Sequence, residues 1–526
     1  MRVRISGILG VVFFFCVVFF SFGAWANDLK VTNVHLGSRD TNSKTIAVFF
    51  DLAWQNSWRN KINHDAAWVT VHLQDVTAAS PEKKLCRLSI NGLNPAGVSA
   101  GSNTELEIQI PSDKVGAFIR RTSNHMSSAV ATTNVMLTVN YETAGLSAES
   151  QVTATVTAYE MVYVPRGMFY AGDYAASAAA FQRGGVDNNP WPITSESAIN
   201  VSAASSNAYY YVSAGNNGEF ASGSAFIIPA TFPKGFEAFY MMKYEITEGQ
   251  WVEFINSLSA PGRANHDVTN VSHKNADAVI DRNTIACAGS PLMCSSERPN
   301  RAMTFLSWPD LCAFLDWAGL RPITELEFEK AARGPYLPVN GEFAWGTTDI
   351  QPLTALSNSA EDGLESSNTN GANAHFGGTL ISGGDAALGT AYRRGTLRGG
   401  IFATDSTDRI LSGAGSYGAM ELSGNAKEWA VSVGLSAGLV FTRANGDGVL
   451  TTASGFEGNA DSISWPGLNM DVSRGITTTA GAGFRGGSWN DASTHLSISD
   501  RSEAASSSSD ATSTYGGRGV RSAEGL

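Results

Sequence analysis

The sequence predicts a two-part α+β protein: an all-β sandwich of immunoglobulin-like size, then a larger domain with few helices and much irregular chain. Three observations carry this expectation. Segments of alternating apolar and polar residues, with no helical pattern between them, run to about residue 160. Three helix starts with N-capping signatures fall between residues 247 and 334. Glycine, 54 of 526 residues, breaks up the chain beyond them. The length itself requires more than one core, because single cores stop growing near ~250–300 residues. A net charge of −12, with no block of Lys or Arg, excludes nucleic acid and electrostatic docking on anionic lipid.

The first element, residues 1–26, reads as an export signal. Arg2 and Arg4 precede an apolar run over residues 8–22, and Ala24-Trp25-Ala26 supplies a small-x-small cleavage site that leaves Asn27 first. The run also approaches the ~20 residues of a membrane span, so an uncleaved anchor is the alternative. Cys16 lacks the small-residue context of a lipoprotein site. The expected location is extracytoplasmic (periplasm, cell surface or secreted), where disulfides are permitted. Cys287 and Cys294 are placed to close a small ring, Cys312 sits in a helical pattern as a buried thiol, and Cys86 has no evident partner. His266 and His273 lie in polar loops and are read as solvated; no HxxxH or HExxH spacing occurs.

Residues 27–158 supply the sandwich. Lys44-Thr-Ile-Ala-Val-Phe-Phe-Asp-Leu-Ala-Trp54 is rich in β-branched and aromatic residues. Trp68-Val-Thr-Val-His-Leu73, Glu105-Leu-Glu-Ile-Gln-Ile110, Val135-Met-Leu-Thr-Val-Asn-Tyr141 and Val152-Thr-Ala-Thr-Val-Thr157 alternate more cleanly. Trp54, Trp58 and Trp68 are read as core, with a carbohydrate-stacking patch as the alternative. The second domain, residues 159–526, opens with a strand, a Pro/Gly turn and a second strand over 161–172. Residues 175–224, rich in Ala, Ser, Asn and Gly, are expected to be surface loops. Capping boxes at Thr247-Glu-Gly-Gln250, Ser307-Trp-Pro-Asp310 and Thr324-Glu-Leu-Glu327 start three helices, and Gly319 and Gly334 end the last two. So much irregular chain must satisfy its own backbone polar groups, and bound cations would help it do so.

At this point the residues become recognisable. Leu306-Ser-Trp-Pro-Asp-Leu-Cys-Ala-Phe-Leu-Asp-Trp-Ala-Gly-Leu-Arg-Pro-Ile-Thr-Glu-Leu-Glu-Phe-Glu-Lys-Ala-Ala-Arg-Gly334 resembles the hallmark of the formylglycine-generating enzyme (sulfatase-modifying factor) family. Five further islands resemble that family in its own order: residues 161–172, Tyr244-Glu-Ile-Thr247, Phe343-Ala-Trp-Gly346, Leu422-Ser-Gly-Asn-Ala-Lys-Glu-Trp429 and Phe484-Arg-Gly-Gly-Ser-Trp489. The resemblance covers residues 160–526 and implies the family's variant of the C-type lectin fold; the sandwich lies outside it.

Family members that make formylglycine use two copper-binding thiols just after the Gly-Gly-Ser-Trp segment. A thiolate is needed there as soft copper ligand and nucleophile. The matching positions here are Asp491 and Leu496, no cysteine follows Cys312, and Lys427 replaces the tryptophan that lines the pocket. The resemblance therefore implies neither copper nor the oxidation, and no catalytic residue is assigned. A second branch, the ergothioneine-type sulfoxide synthases, adds a helical domain with iron-binding histidines, and no such cluster is visible. The family's structural Ca²⁺ carries over better, onto the side chains of Glu421 and Glu428 and the carbonyls of Gly424 and Ala426. The alternative is that Glu428 bonds nearby backbone N–H groups. Asn373 and Asp385 are candidates for a second site. Asn445-Gly-Asp-Gly448 looks EF-hand-like for four residues, but Phe456 stands where the twelfth-position carboxylate belongs, so it is read as a turn.

The stretch 490–515 is dominated by Ser, Thr, Asp and Ala and closes on Gly516-Gly-Arg-Gly-Val-Arg521, similar to the family's ending. In this fold it lines the former active pocket. Small hydroxyl and amide groups suit binding loops; a plain solvated loop, with Arg501 in a structural ion pair, is the other reading. The leading expectation is an exported binding or structural protein that meets an extracytoplasmic protein or glycan through a cleft at Lys427, Ser488, Trp489, Asp491, Ser493, His495 and Arg501. The alternative is an enzyme of unknown chemistry in the same cleft, with Asp491 and His495 as acid and base.

Overall fold

β-Branched and aromatic residues at alternate positions favour strands in the first part of the chain, long ones at β1 (Lys30–Asp40), β2 (Thr45–Arg59), β3 (Asp65–Asp75), β8 (His125–Asn140) and β9 (Val152–Val164), with shorter β4 (Lys84–Leu85), β5 (Gly92–Leu93), β6 (Leu106–Ile110) and β7 (Ala117–Arg121) between them. The computed structural model describes residues 28–523 except 79–81, 175–176, 184–188, 203–208, 212–218, 221–223, 272, 274–280, 359–362, 386–392 and 507. The expected export signal lies outside the described residues. No helix among them is long and apolar enough to cross a membrane.

Strands β1, β2 and β8 form one antiparallel sheet. Its inner face, with Val48, Phe50, Leu52 and Trp54 of β2, packs on Val69, Val71 and Leu73 of β3 and Ile119 of β7. The two sheets thus share a core, but the second does not belong to this pair alone. The larger sheet runs β14–β10–β9–β3–β7–β6–β5, where β10 (Phe239–Met242) and β14 (Val520–Ser522) come from the C-terminal part. β9 pairs with β3 on one side and with β10 on the other. The expected division at residues 158/159 therefore falls inside one unbroken strand; residues 152–164 contain no Gly or Pro to end it.

This explains why β3 is buried on both faces. Ala67, Val69 and Val71 face the small sheet, while Ala66 and Trp68 face a second core built on the helices. There the Trp68 indole donates to Ala318 O at 2.9 Å. Trp54 and Trp68 are thus core residues on opposite faces of the larger sheet.

The longer helices among the described residues are α1 (Glu248–Ser257), α2 (Ala260–Asn265), α3 (Trp308–Trp317) and α4 (Glu325–Arg333). Thr247/Gln250, Ser307/Asp310 and Thr324/Glu327 all form two-way capping boxes, which satisfy the free N–H groups of a helix start. A small sheet of β11 (Lys427–Val431), β12 (Ala482–Arg485) and β13 (Tyr515–Gly516), in order β12–β11–β13, carries the C-terminal motifs. The whole is mostly β with few helices.

Two expectations need correction. Residues 175–224 are not only loops: Phe181–Arg183, Trp191–Ile193 and Ile199–Val201 are strands, because Phe181, Trp191, Ile193 and Val201 are buried in the helix-side core despite their polar surroundings in sequence. His266 and His273 are not solvated. Nδ1 of His266 and Nε2 of His273 each lie 2.8 Å from the Asp310 carboxylate, which is buried at the start of α3 and draws donors to itself. Cys287 and Cys294 are joined, at 2.03 Å, across the hairpin Ile285–Ala288/Met293–Ser296. Cys86 and Cys312 are buried thiols.

Candidate functional site

The hallmark tryptophan and the Gly-Gly-Ser-Trp turn meet on the small sheet. Phe484 of β12 stacks near Trp429 of β11, with ring centroids 3.9 Å apart. After β12 the chain turns through Gly487, at φ +64°, where a Cβ would sit 2.7 Å from Leu496 Cδ1. Ser488 then folds back on Asp491: its N–H and Oγ both donate to Asp491 Oδ2, at 2.8 and 2.6 Å.

Lys427 reaches this turn from β11. Its ammonium lies 2.6 Å from Glu503 and 3.3 Å from Asp491, and 5.9 Å from the centroids of both the Phe484 and Tyr515 rings. Burial disfavours its charge, but Asp491 and Glu503 outweigh burial and hold its pKa above the usual lysine value. Asp491 is thereby an ion-pair partner, and Leu496, the other position matched to a thiol, is fully buried.

Lys427, Ser488 and Asp491 are therefore brought together, but largely to one another. Trp489 is buried and donates its indole N–H to Ser513 O at 2.9 Å, so it is a structural residue. Arg501 is likewise no ligand residue. It is fully buried, bonded to Glu325 at 2.7 and 3.0 Å and to Glu219 at 2.6 Å, and its guanidinium lies 4.1 Å from the Phe181 ring centroid. A guanidinium so enclosed persists only when its donors are used up. His495 turns to Ser502 Oγ at 3.2 Å and to Asp500 at 3.9 Å. Among the described residues no hydrogen bond or ion pair joins it to Asp491, so the expected acid/base couple is not assembled. Ser493 opens a short 3₁₀ turn, Ser493–Leu496, and is partly exposed. Asn490, Thr494, Ser509 and Asp510 are exposed, and Ser493 and His495 partly so.

The residues matched to the calcium site do not fit a cation cage. Both oxygens of Glu428 accept from Arg518, at 2.8 Å each, and that guanidinium also bonds the carbonyls of Met242, Lys243 and Met420. The arginine already occupies the place of a counter-cation for Glu428. Glu421 accepts from Gly400 N–H at 2.6 Å, and its other oxygen is buried with no partner among the described residues. Gly424 and Ala426 donate their N–H groups, to Gly486 O and Glu245, in ordering this loop. Asn373 and Asp385 do not pair in a second site: Asn373 bridges Gln351, Asp349 and Ile410, and Asp385 is held by Arg298 and Arg301. Asp316, Asp447 and Asp461 do bring carboxylate oxygens within 4.8 Å of one another. Asp316 there accepts from the N–H groups of Asp447 and Gly448 at 2.8 and 3.3 Å, and of Asp461 at 3.3 Å, and so ties two loops to α3.

Sequence reasoning missed Glu503, Glu245 and Arg518. The last two were within reach, since Glu245 lies in the Tyr244-Glu-Ile-Thr247 island and Arg518 in the closing Gly-Arg-Gly-Val segment. Glu503 carries no local signal.

The model of the sulfatase-modifying factor enzyme 1-like domain matches residues 147–523. No curated protein matches the chain. Among solved structures, Treponema denticola variable protein 1 is similar at 12% identity and a TM-score of 0.26, over 62% of this chain and 99% of that one.

Proposed function

Since this chain belongs to the sulfatase-modifying factor family, we propose that it is an exported binding or structural protein whose altered family domain meets an extracytoplasmic protein or glycan. The partner surface is the open face at Asn490, Ser493, Thr494, His495, Ser509 and Asp510, beside the Lys427 ion pair. The N-terminal strands, read as an immunoglobulin-like sandwich, carry that face as a rigid platform.

One observation supports the reading above others: the two positions matched to the family's thiols hold an aspartate locked to Lys427 and a leucine in the core. Nor do the remaining sulfurs offer a thiolate. Burial pushes the Cys86 thiol up to about 12 and Cys312 well above its usual value, and Cys287 and Cys294 are spent on each other. Export is supported by the basic and apolar leader, and a disulfide accords with it.

The test is expression of the full chain with its own leader, followed by two measurements on the purified product. Incubation with copper and a sulfatase-type cysteine peptide should yield no aldehyde, and retention on isolated envelope material should be lost on Thr494→Arg. Aldehyde formation that a copper chelator blocks would overturn the proposal, as would retention indifferent to Thr494→Arg and Asp510→Arg together.

A further inference from the structure

Of Trp54, Trp58 and Trp68, Trp58 alone is only half-buried. It lies on β2, at the seam between the sandwich and the C-terminal part. Its N–H donates to Asp65 Oδ1 at 3.0 Å, and a Cβ at Gly418, where φ is +93°, would sit 3.3 Å from its Cζ2. Backbone and ring are thus fixed from both sides of the seam. The ring walls an open cavity of about 400 Å³. Asn56 and Ser127 from the N-terminal strands line it together with Thr404 and Asp405 of the C-terminal part. Tyr244 and Lys243 line it too, with the Lys243 ammonium already held by Glu160 at 2.5 Å.

Two groups in this cavity have unused capacity. Among the described residues nothing accepts from the Trp58 indole N–H, and nothing pairs with the exposed Asp405 carboxylate. An aromatic ring that carries an N–H, a carboxylate, and hydroxyl and amide groups lining one cavity make a set with a definite complement. A purely apolar ligand would leave the polar rim unmatched. An anion would meet Asp405, with the one nearby ammonium already neutralised. A neutral pyranose fits: its C–H face lies on the indole, and its equatorial hydroxyls donate to a carboxylate and accept from N–H and O–H groups. The cavity volume falls within the ~300–1,000 Å³ of small-molecule sites, and domain seams are where such sites concentrate.

We infer that this seam cavity binds a neutral hexopyranose unit of a glycan, with Trp58 as the stacking wall and Asp405 as the acceptor of ring hydroxyls. It shares no residue with the open C-terminal face, so either can fail without the other. The test uses the purified full chain and a panel of methyl glycosides of glucose, galactose, mannose and N-acetylglucosamine, followed by saturation-transfer NMR and tryptophan fluorescence. At least one glycoside should bind. Asp405→Ala should weaken it by roughly tenfold or more, the loss expected for a hydrogen bond to a charged group. Because Asp405 is exposed and unpaired, that variant should keep the parent melting temperature, which separates lost binding from lost folding. Trp58→Ala should abolish the signal, and Thr494→Arg should leave it intact. No binding by any glycoside, or binding unchanged in Asp405→Ala, would overturn the inference; binding lost only in Thr494→Arg would assign the sugar to the C-terminal face instead.

Discussion

Glu421 shows how a family position keeps its place in the chain while its chemistry changes. It sits with Glu245 and Glu428 near the guanidinium of Arg518, and Arg398 adds a weaker attraction to Glu421 alone among the three. Arg518 is committed bidentately to Glu428. Burial then pushes Glu421 up to about 7 and Glu245 well above the carboxylate range. The sign of the pH effect follows. Between an unfolded value of 4.5 and a folded value of about 7, the folded state holds a proton the unfolded chain has released. Glu421's contribution is thus full below pH 4.5 and is lost as pH rises through 7, at a cost on the order of 1–3 kcal/mol by pH 8. Glu421→Gln keeps an acceptor for the Gly400 N–H and removes the charge. It should match the parent at pH 5 and exceed its stability at pH 8, and equal denaturant midpoints for the two proteins at both pH values would refute this. None of it was legible in sequence. The motif located Glu421 and Glu428, but which carboxylate takes the arginine depends on chain ends brought together from far apart.

Elements were legible where their causes are local. The three capping boxes need only four consecutive residues, and all three form as expected. Short strands such as Trp191–Ile193 were not, since three residues carry no period and gain their strand geometry from burial. The hairpin Ile285–Ala288/Met293–Ser296 is intermediate: two cysteines announced a ring, while its anchorage was hidden. That anchorage is Asn256 of α1, whose side chain both donates to Cys294 O at 2.8 Å and accepts from Cys294 N–H at 2.9 Å. Loss of the disulfide should therefore loosen the turn without releasing the hairpin from α1. For so short a loop, chain entropy puts the loss at ~2 kcal/mol. Cys287→Ser with Cys294→Ser should fold, with hydrogen exchange faster for the amides of residues 286–293 and unchanged in α1; acceleration that spreads through α1 would show that the covalent bond, rather than Asn256, secures the hairpin.

At the scale of the molecule, the composition change near residue 160 pointed to two domains and misplaced the division, because a change of composition is not a break in hydrogen bonding. β9 runs unbroken from Val152 to Val164 and holds β3 on one edge and β10 on the other. Cutting there would strip the C-terminal part of β3 and leave Met161 without the Trp68 side of its core. It would also remove Asp113, the partner of the buried Arg521 guanidinium at 2.6 Å, and Trp68, whose ring centroid lies 4.1 Å from that same guanidinium. Arg521 would lose its charge partner and its aromatic cover, and the Tyr159, Met161 and Tyr240 side of the core would lie open, against only ~5–15 kcal/mol that holds a domain folded. A fragment of residues 159–526 is accordingly expected to be insoluble, or to bind a hydrophobic dye and lack near-ultraviolet ellipticity, although it contains almost the whole family domain. The full chain should unfold with Trp54, in the sandwich core, and Trp308, in the helix-side core, losing their environments together. Soluble, dye-free 159–526 with native ellipticity would mean that the shared sheet is an adornment of two independent domains rather than the element that joins them.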